Sequence, residues 1–273
     1  MSYNDAMAKH QLTFSLSDST RENSRDLVLK RVRALIRMHE AGELGGERMP
    51  EDAHPDISPE SAELAQYFTL GMALNYQRNS YSLWKSCTAA WSDITRRWVF
   101  NPNDVLTHSV EELREALTLH RVALQPNNHV RIWRTICESL TQSYNGDIRN
   151  LFEAHDRRIS QIKEAIGRDR KMFPYLAGTK ICNYWLYVML SYTKLGLREK
   201  WALNVAPDTH VINASRVLGI IVDEERERPN AGTVVAERWK TLLEGTELDP
   251  IDVHTPLWLW SRSGFIHIDA AAS

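Results

Sequence analysis

Three kinds of residue that do chemistry together fall in one stretch, FPYLAGTKICNYWLYVMLSYTKLGLREKWALNVAPDTHVINASRVLG, running from Phe173 to Gly219. Pro174 and the small residues Ala177, Gly178 and Thr179 predict a tight turn, and a helix beginning near Lys180 carries the chain away from it. The outcome would be a helical hairpin whose unpaired N-terminal N–H groups suit a phosphate. Downstream, Asp208 stands ahead of Val211, Ser215 and Leu218 at helical spacing, which projects its carboxylate from the start of a second helix. A carboxylate beside a phosphate-binding turn is a device for chemistry on a nucleotide. An Asp after a Pro also commonly caps a helix, and the two roles are compatible because a capping Asp is held in one rotamer.

This stretch resembles the helix-hairpin-helix and Gly/Pro-Asp signature of the DNA glycosylases related to endonuclease III. In that superfamily a hairpin L-P-G-x-G-x-K is followed by a helix and then V-D-T-H-V. Asp208-Thr209-His210-Val211, followed by Arg216-Val217-Leu218-Gly219, matches the second half. In the first half Tyr175 stands at the first glycine, and the second falls on Ala177 or Gly178 according to register. The family lysine falls on Lys180 if one residue is inserted and on Thr179 otherwise. The 28 positions from Lys180 to Asp208 exceed the spacing in endonuclease III itself.

The resemblance implies an all-α, two-lobed helical bundle with the helix-hairpin-helix motif near residues 173–182, and a base flipped out of the duplex into a pocket between the lobes. Asp208 would stabilise the oxocarbenium-like sugar and activate the attacking water or amine. Lys180, at the family's lysine in one register, would attack C1′ and permit strand cleavage. Ala177, Gly178 and Thr179 would hold a DNA phosphate. Leu74-Asn75-Tyr76-Gln77-Arg78-Asn79-Ser80 is similar to the family loop I-L-S-x-Q-x-T. Gln77 would then fill the gap left by the base, with Arg78 or Asn79 reading the orphaned partner. Tyr184 and Trp258 are the pocket candidates, and His210 is expected to be structural. The run from Pro250 to Trp260 resembles the family's terminal helix.

The segments MALNYQRNSYSLW and PIDVHTPLWLWSRSGF are similar to the branch linked to phage DNA hypermodification (alpha-glutamyl/putrescinyl thymine pyrophosphorylase-like) and to anti-phage glycosylases. The function this implies is excision of a bulky modified base, such as glucosylated hydroxymethylcytosine, to leave abasic sites that restrict the phage. Two alternatives stand beside it. One is a transferase that adds an amine or amino acid to an activated hydroxymethylpyrimidine, and the other is a helical DNA-binding module without catalysis.

The elements that must position these residues read as helices. A capping box at Ser19-Thr20-Arg21-Glu22 opens a helix with Leu27, Leu35 and Met38 on its apolar face, after polar residues up to about Asp18. Glu47 to Pro59 carries three prolines among acids and reads as a linker or surface loop, so residues 1–56 are taken as a helical extension and linker and 57–273 as the two-lobed domain. Trp84, Trp91 and Trp98, seven residues apart, read as a core stripe on a continuing helix. Ile148 to Ile166 reads as one polar, basic helix.

A net charge of −2 argues against a polyanion partner, yet Ile148 to Lys200 holds eleven Lys or Arg against five Asp or Glu. That local excess beside the hairpin favours DNA through counterion release, although Arg157, Arg158, Lys163, Arg168, Arg170 and Lys171 also fit a solvated helix face. Hydrophobic residues at 43% and charged residues at 25% are the balance of a globular protein. Neither a membrane span nor a signal peptide is visible, so the expected place is the cytoplasm, as a monomer acting on double-stranded DNA that contains a modified base. Three scattered cysteines, with none after Cys182, exclude both a disulfide framework and the four-cysteine iron–sulfur cluster of some relatives. No metal or cofactor is implied by any spacing.

Overall fold

The computed structural model of the chain describes residues 18–46 and 48–268. The polar stretch before Asp18 lies outside the described residues, as do the side chains of the Ser19–Glu22 capping box. The protein is all-α: among the described residues there is no strand, and the one β-bridge joins Arg158 to Arg198. Among them, too, no helix is long and apolar enough to cross a membrane.

The helices, numbered here in chain order, are α1 (Asp18–Glu40), α2 (Ala62–Ala73), α3 (Ser80–Ser92), α4 (Pro102–Thr107), α5 (Val110–Leu119), α6 (Pro126–Tyr144), α7 (Ile148–Ala154), α8 (Ile159–Arg168), α9 (Thr179–Tyr192), α10 (Thr209–Val217), α11 (Asp223–Arg226), α12 (Ala231–Leu243) and α13 (His254–Arg262). Their starts follow local chemistry. Ser61, Asn79, Asn101, Ser109 and Asp147 each accept a first-turn N–H and cap α2, α3, α4, α5 and α7.

The side chains bury into two hydrophobic clusters. The larger is built around α2, which is buried all round from Leu64 to Ala73, Gln66 and Thr69 included. Gly71 lets α3 come close: a Cβ there would stand 2.6 Å from the Trp84 ring. The second cluster joins Leu29, Val32 and Leu35 of α1 to Val211, Trp239, Leu257 and Trp260 from the far end of the chain. Each fully buried aliphatic side chain there contributes roughly 1.5–3 kcal/mol. Tyr184 of α9 packs against both clusters.

Four sequence expectations need correction. Residues 24–56 are no extension, because α1 belongs to the second cluster and Arg33 pairs with Glu247 at 2.9 Å. The proline-rich segment is no surface linker either: Pro50–Ala53 forms a 3-10 turn, and Met49, Pro50 and Glu51 are buried. The expected helix over 148–166 is two helices, α7 and α8, broken where Asp156 and Arg157 take φ of 51° and 57°. Trp84 is fully buried and Trp91 and Trp98 pack against the same core, but α3 ends at Ser92 and Trp98 lies in a separate 3-10 turn, stacked on His108 at 3.7 Å.

Candidate functional site

The stretch around Pro174 links α8 to α9 by a compact turn. Tyr175, at the position where the resemblance puts a glycine, has φ 63°, the left-handed conformation a glycine would take at no cost. Its ring packs 5.1 Å from that of Tyr76, and its hydroxyl accepts a 2.9 Å hydrogen bond from Asn128. Ala177 is buried, while Gly178 is the N-cap of α9 and supplies no side-chain hydrogen bond to its first turn. Gly178, Thr179 and Lys180 are exposed and line an open groove together with Tyr76, Gln77 and Arg170.

A cavity of about 380 Å³ lies next to that groove. Its wall holds Gln77, Arg78 and Asn79 from the α2–α3 loop, Lys180 and Tyr184 from α9, Asp208 from the start of α10, and His254 and Trp258 from α13. Lys180 lines both the groove and the cavity, whereas Thr179 lines only the groove. Lys180 and Asp208 thus line the same cavity. Among the described residues no hydrogen bond or ion pair takes up the Lys180 ammonium.

Asp208 is fixed twice. One carboxylate oxygen accepts the Val211 N–H at 3.0 Å, which caps α10, and the other accepts the Trp258 indole N–H at 2.8 Å. The approach to it is also fixed, by the helices of the hairpin. Lys163 of α8 donates to the Ala202 carbonyl at 2.8 Å and to Asn183 Oδ1 at 3.2 Å, and Asn183 of α9 exchanges two hydrogen bonds with the backbone of Asn204. Burial pushes the Lys163 ammonium below its ordinary pKa, but the two oxygens it meets are both acceptors.

His254, almost fully buried in the cavity wall, lies 5.3 Å from the Tyr184 ring. Burial pushes its pKa down to about 4; the nearby Asp208 charge opposes this and the Lys180 charge adds to it. The ring is thus neutral at pH 7, and its Nδ1 accepts the Ala206 N–H at 3.4 Å. On the open side Arg262 lies over the rings of Tyr81 and Trp258, at 5.3 and 5.4 Å. His210 lines the wall, hydrogen-bonded to Ser261 at 3.2 Å and 5.1 Å from the Trp258 ring.

Two expected contact residues are otherwise engaged. The Arg78 guanidinium donates to the carbonyls of Val122 at 2.5 Å and Arg121 at 2.7 Å, and Asn79 caps α3 by accepting the Ser82 N–H at 2.9 Å. Both shape the loop, and neither presents those atoms to a base. Gln77 between them and the turn is exposed, at φ 50°. The basic run is also less free than its count suggests: Arg157 pairs with Glu153, Arg158 with Glu199, and Lys163 points inward. Of that run, Arg170 is the residue that reaches the groove. Tyr187 and Trp185 do not face the cavity, since Tyr187 bonds Thr255 and Trp185 donates to Thr69 in the core.

Sequence reasoning missed Glu51, His254, Tyr81 and Arg262. Glu51 is 1% exposed, beneath the cavity, and receives Trp84 Nε1 at 2.8 Å and Tyr184 Oη at 3.0 Å. No signal in the sequence separates it from the other acids of its proline-rich segment. No protein-family model and no curated protein matches the chain, so the likeness to the glycosylases rests on the residues quoted above.

Proposed function

We propose that the protein is a DNA glycosylase that flips a modified base into the cavity beside Asp208 and cleaves its N-glycosidic bond. The observation that carries this reading is the meeting of Asp208, Lys180, Tyr184, Trp258 and Gln77 in one cavity wall, next to the exposed start of α9. Asp208 is anchored by Val211 and Trp258 and is aimed without further reorganisation at a developing sugar cation. Water enters from the open side and is deprotonated by Asp208 as it attacks C1′. Trp258 and Tyr81 supply aromatic faces on which a base can stack. A volume of about 380 Å³ is in the range that takes a whole drug-sized ligand, which favours a base carrying a large substituent over a plain pyrimidine.

The test is incubation of the protein with unmodified DNA and with DNA containing glucosylated hydroxymethylcytosine, followed by mass spectrometry of the small-molecule fraction and of the strands. Free modified base with matching abasic sites is the expected result. A heavier base left in the strand would replace this reading by base modification, and unchanged DNA would leave a binding module. Borohydride trapping of a DNA adduct in the parent, lost in Lys180→Ala, would add strand cleavage through a Schiff base.

A further inference from the structure

Glu51 is a carboxyl group sealed under the cavity floor with no cation beside it. Among the described residues no Lys, Arg or His forms a hydrogen bond or ion pair with it; its two oxygens accept from Trp84 and Tyr184, and the carboxylate also meets its own backbone N–H. Its chain neighbour Pro50 and its partner Tyr184 both line the cavity. A buried acid without a compensating charge is costly, and such groups concentrate where a proton has to be moved. None of the groups that face it carries a positive charge: Asp52 on its own turn, Tyr67 of α2, Trp84 of α3, and Tyr184, Tyr187 and Tyr192 of α9. Lys180 and Asp208 also line the cavity, as does His254, whose ring packs 5.3 Å from that of Tyr184.

We propose that Glu51 and Tyr184 form the proton-donating arm of the site, with Tyr184 as the group that touches the leaving base and Glu51 as the proton source acting through it. This rests on the glycosylase reading. When Glu51 carries a proton, its O–H donates to the Tyr184 oxygen, and the Tyr184 O–H is released from Glu51 and turns into the cavity. As the C1′–N bond breaks, its electron pair stays with the base. The base takes the Tyr184 proton, and Tyr184 takes the Glu51 proton. The attacking water forms the new C1′–O bond and gives its proton to Asp208. The step thus ends with Glu51 ionised and Asp208 protonated, and exchange with solvent resets both. Trp84, which can only donate, keeps the second Glu51 oxygen in place throughout.

The consequence is a base-release rate that needs protonated Glu51. Burial pushes its pKa up to about 7, so the proton is available near neutrality and is lost above it. Single-turnover base release by the full chain is measured on glucosylated duplex DNA from about pH 5.5 to 8.5. The parent rate is expected to fall about tenfold per pH unit above about 7. In Glu51→Gln the amide donates to Tyr184 and its oxygen accepts from Trp84, so the shape is kept and titration is removed. That variant should be slower than the parent at pH 6 and flat across the range. Tyr184→Phe, which keeps the ring between the two clusters, should bind the DNA normally and lose roughly 10²- to 10⁴-fold in rate. A Glu51→Gln profile parallel to the parent's, or Tyr184→Phe turning over at the parent rate, overturns the proposal while leaving the glycosylase reading intact. If the parent itself releases no base at any pH, both fall together.

Discussion

Asp208 has two carboxylate oxygens and two donors, one structural and one from the cavity wall, so a conservative change separates charge from fold. In Asp208→Asn the side-chain oxygen still accepts one of them. Base release should fall by roughly 10²- to 10⁴-fold, while stability falls by about 1–3 kcal/mol because the amide NH2 faces the other donor; turnover within tenfold of the parent would remove Asp208 from the chemistry. Glu51 gives a second prediction at this scale, independent of any substrate. Its folded-state pKa of about 7 lies above the ordinary 4.5, so its contribution is fully present below about pH 4.5 and is lost as pH rises through 7. Relative to Glu51→Gln, the parent should lose on the order of 3 kcal/mol between those limits, read as a difference in Tm that widens from pH 5 to pH 8. A constant difference would mean that Glu51 does not change its ionisation on folding. Asp208, Lys180, Gln77 and Trp258 were legible in the sequence because a spaced motif or a helical register marks them. Glu51 and His254 were not, because burial of a polar side chain is decided by what packs over it from elsewhere in the chain.

The hairpin and the loop facing it respond differently to substitution. A Cβ on Gly178 would lie 3.1 Å from the Tyr175 carbonyl, a backbone atom that cannot move aside cheaply. Gly178→Leu should therefore distort the start of α9 and weaken binding to all duplexes alike, since phosphate contacts carry no sequence information; fluorescence anisotropy on several sequences checks this, and a loss confined to one of them would contradict it. Gln77 sits at the tip of a loop whose shape is kept by Arg78, Asn79 and the Tyr76–Tyr175 contact. Gln77→Ala should leave that shape alone and slow excision from stable duplex far more than from single-stranded DNA, where no gap has to be filled. Equal losses on both would reduce the loop to a connection. The start at Ser109 could be read from its capping side chain, whereas Asn101-Pro102-Asn103-Asp104 reads as a turn and instead opens α4. The break between α7 and α8 could not be read, because Asp156 and Arg157 take a left-handed conformation that no glycine or proline marks in the sequence.

For the molecule as a whole, the sequence suggested a boundary after residue 56, and the packing puts the seam elsewhere. Composition and helical periodicity identified an all-α protein, but which helices share a core depends on contacts between positions some two hundred residues apart, such as Arg25 with the carbonyls of Leu242 and Glu244. Lys163 tests how the two clusters are coupled. Lys163→Met removes the bonds from α8 to the segment ahead of Asp208, so base release should drop more than DNA binding, with a loss of stability of about 1–3 kcal/mol from the Ala202 and Asn183 oxygens left unpaired. Unchanged rates would show that Asp208 is held by its own helix alone. The packing of α1 against α13 also has a bearing on synthesis. Most of the larger cluster, from Leu64 to Leu203, is contiguous in the chain and can form while the ribosome is still translating. The second cluster must hold α1 in waiting until α13 has left the exit tunnel, and Asp208, His254 and Trp258 come together only then. A chain interrupted before Trp258 would therefore lack one wall of the cavity, whatever the rest of it had folded into.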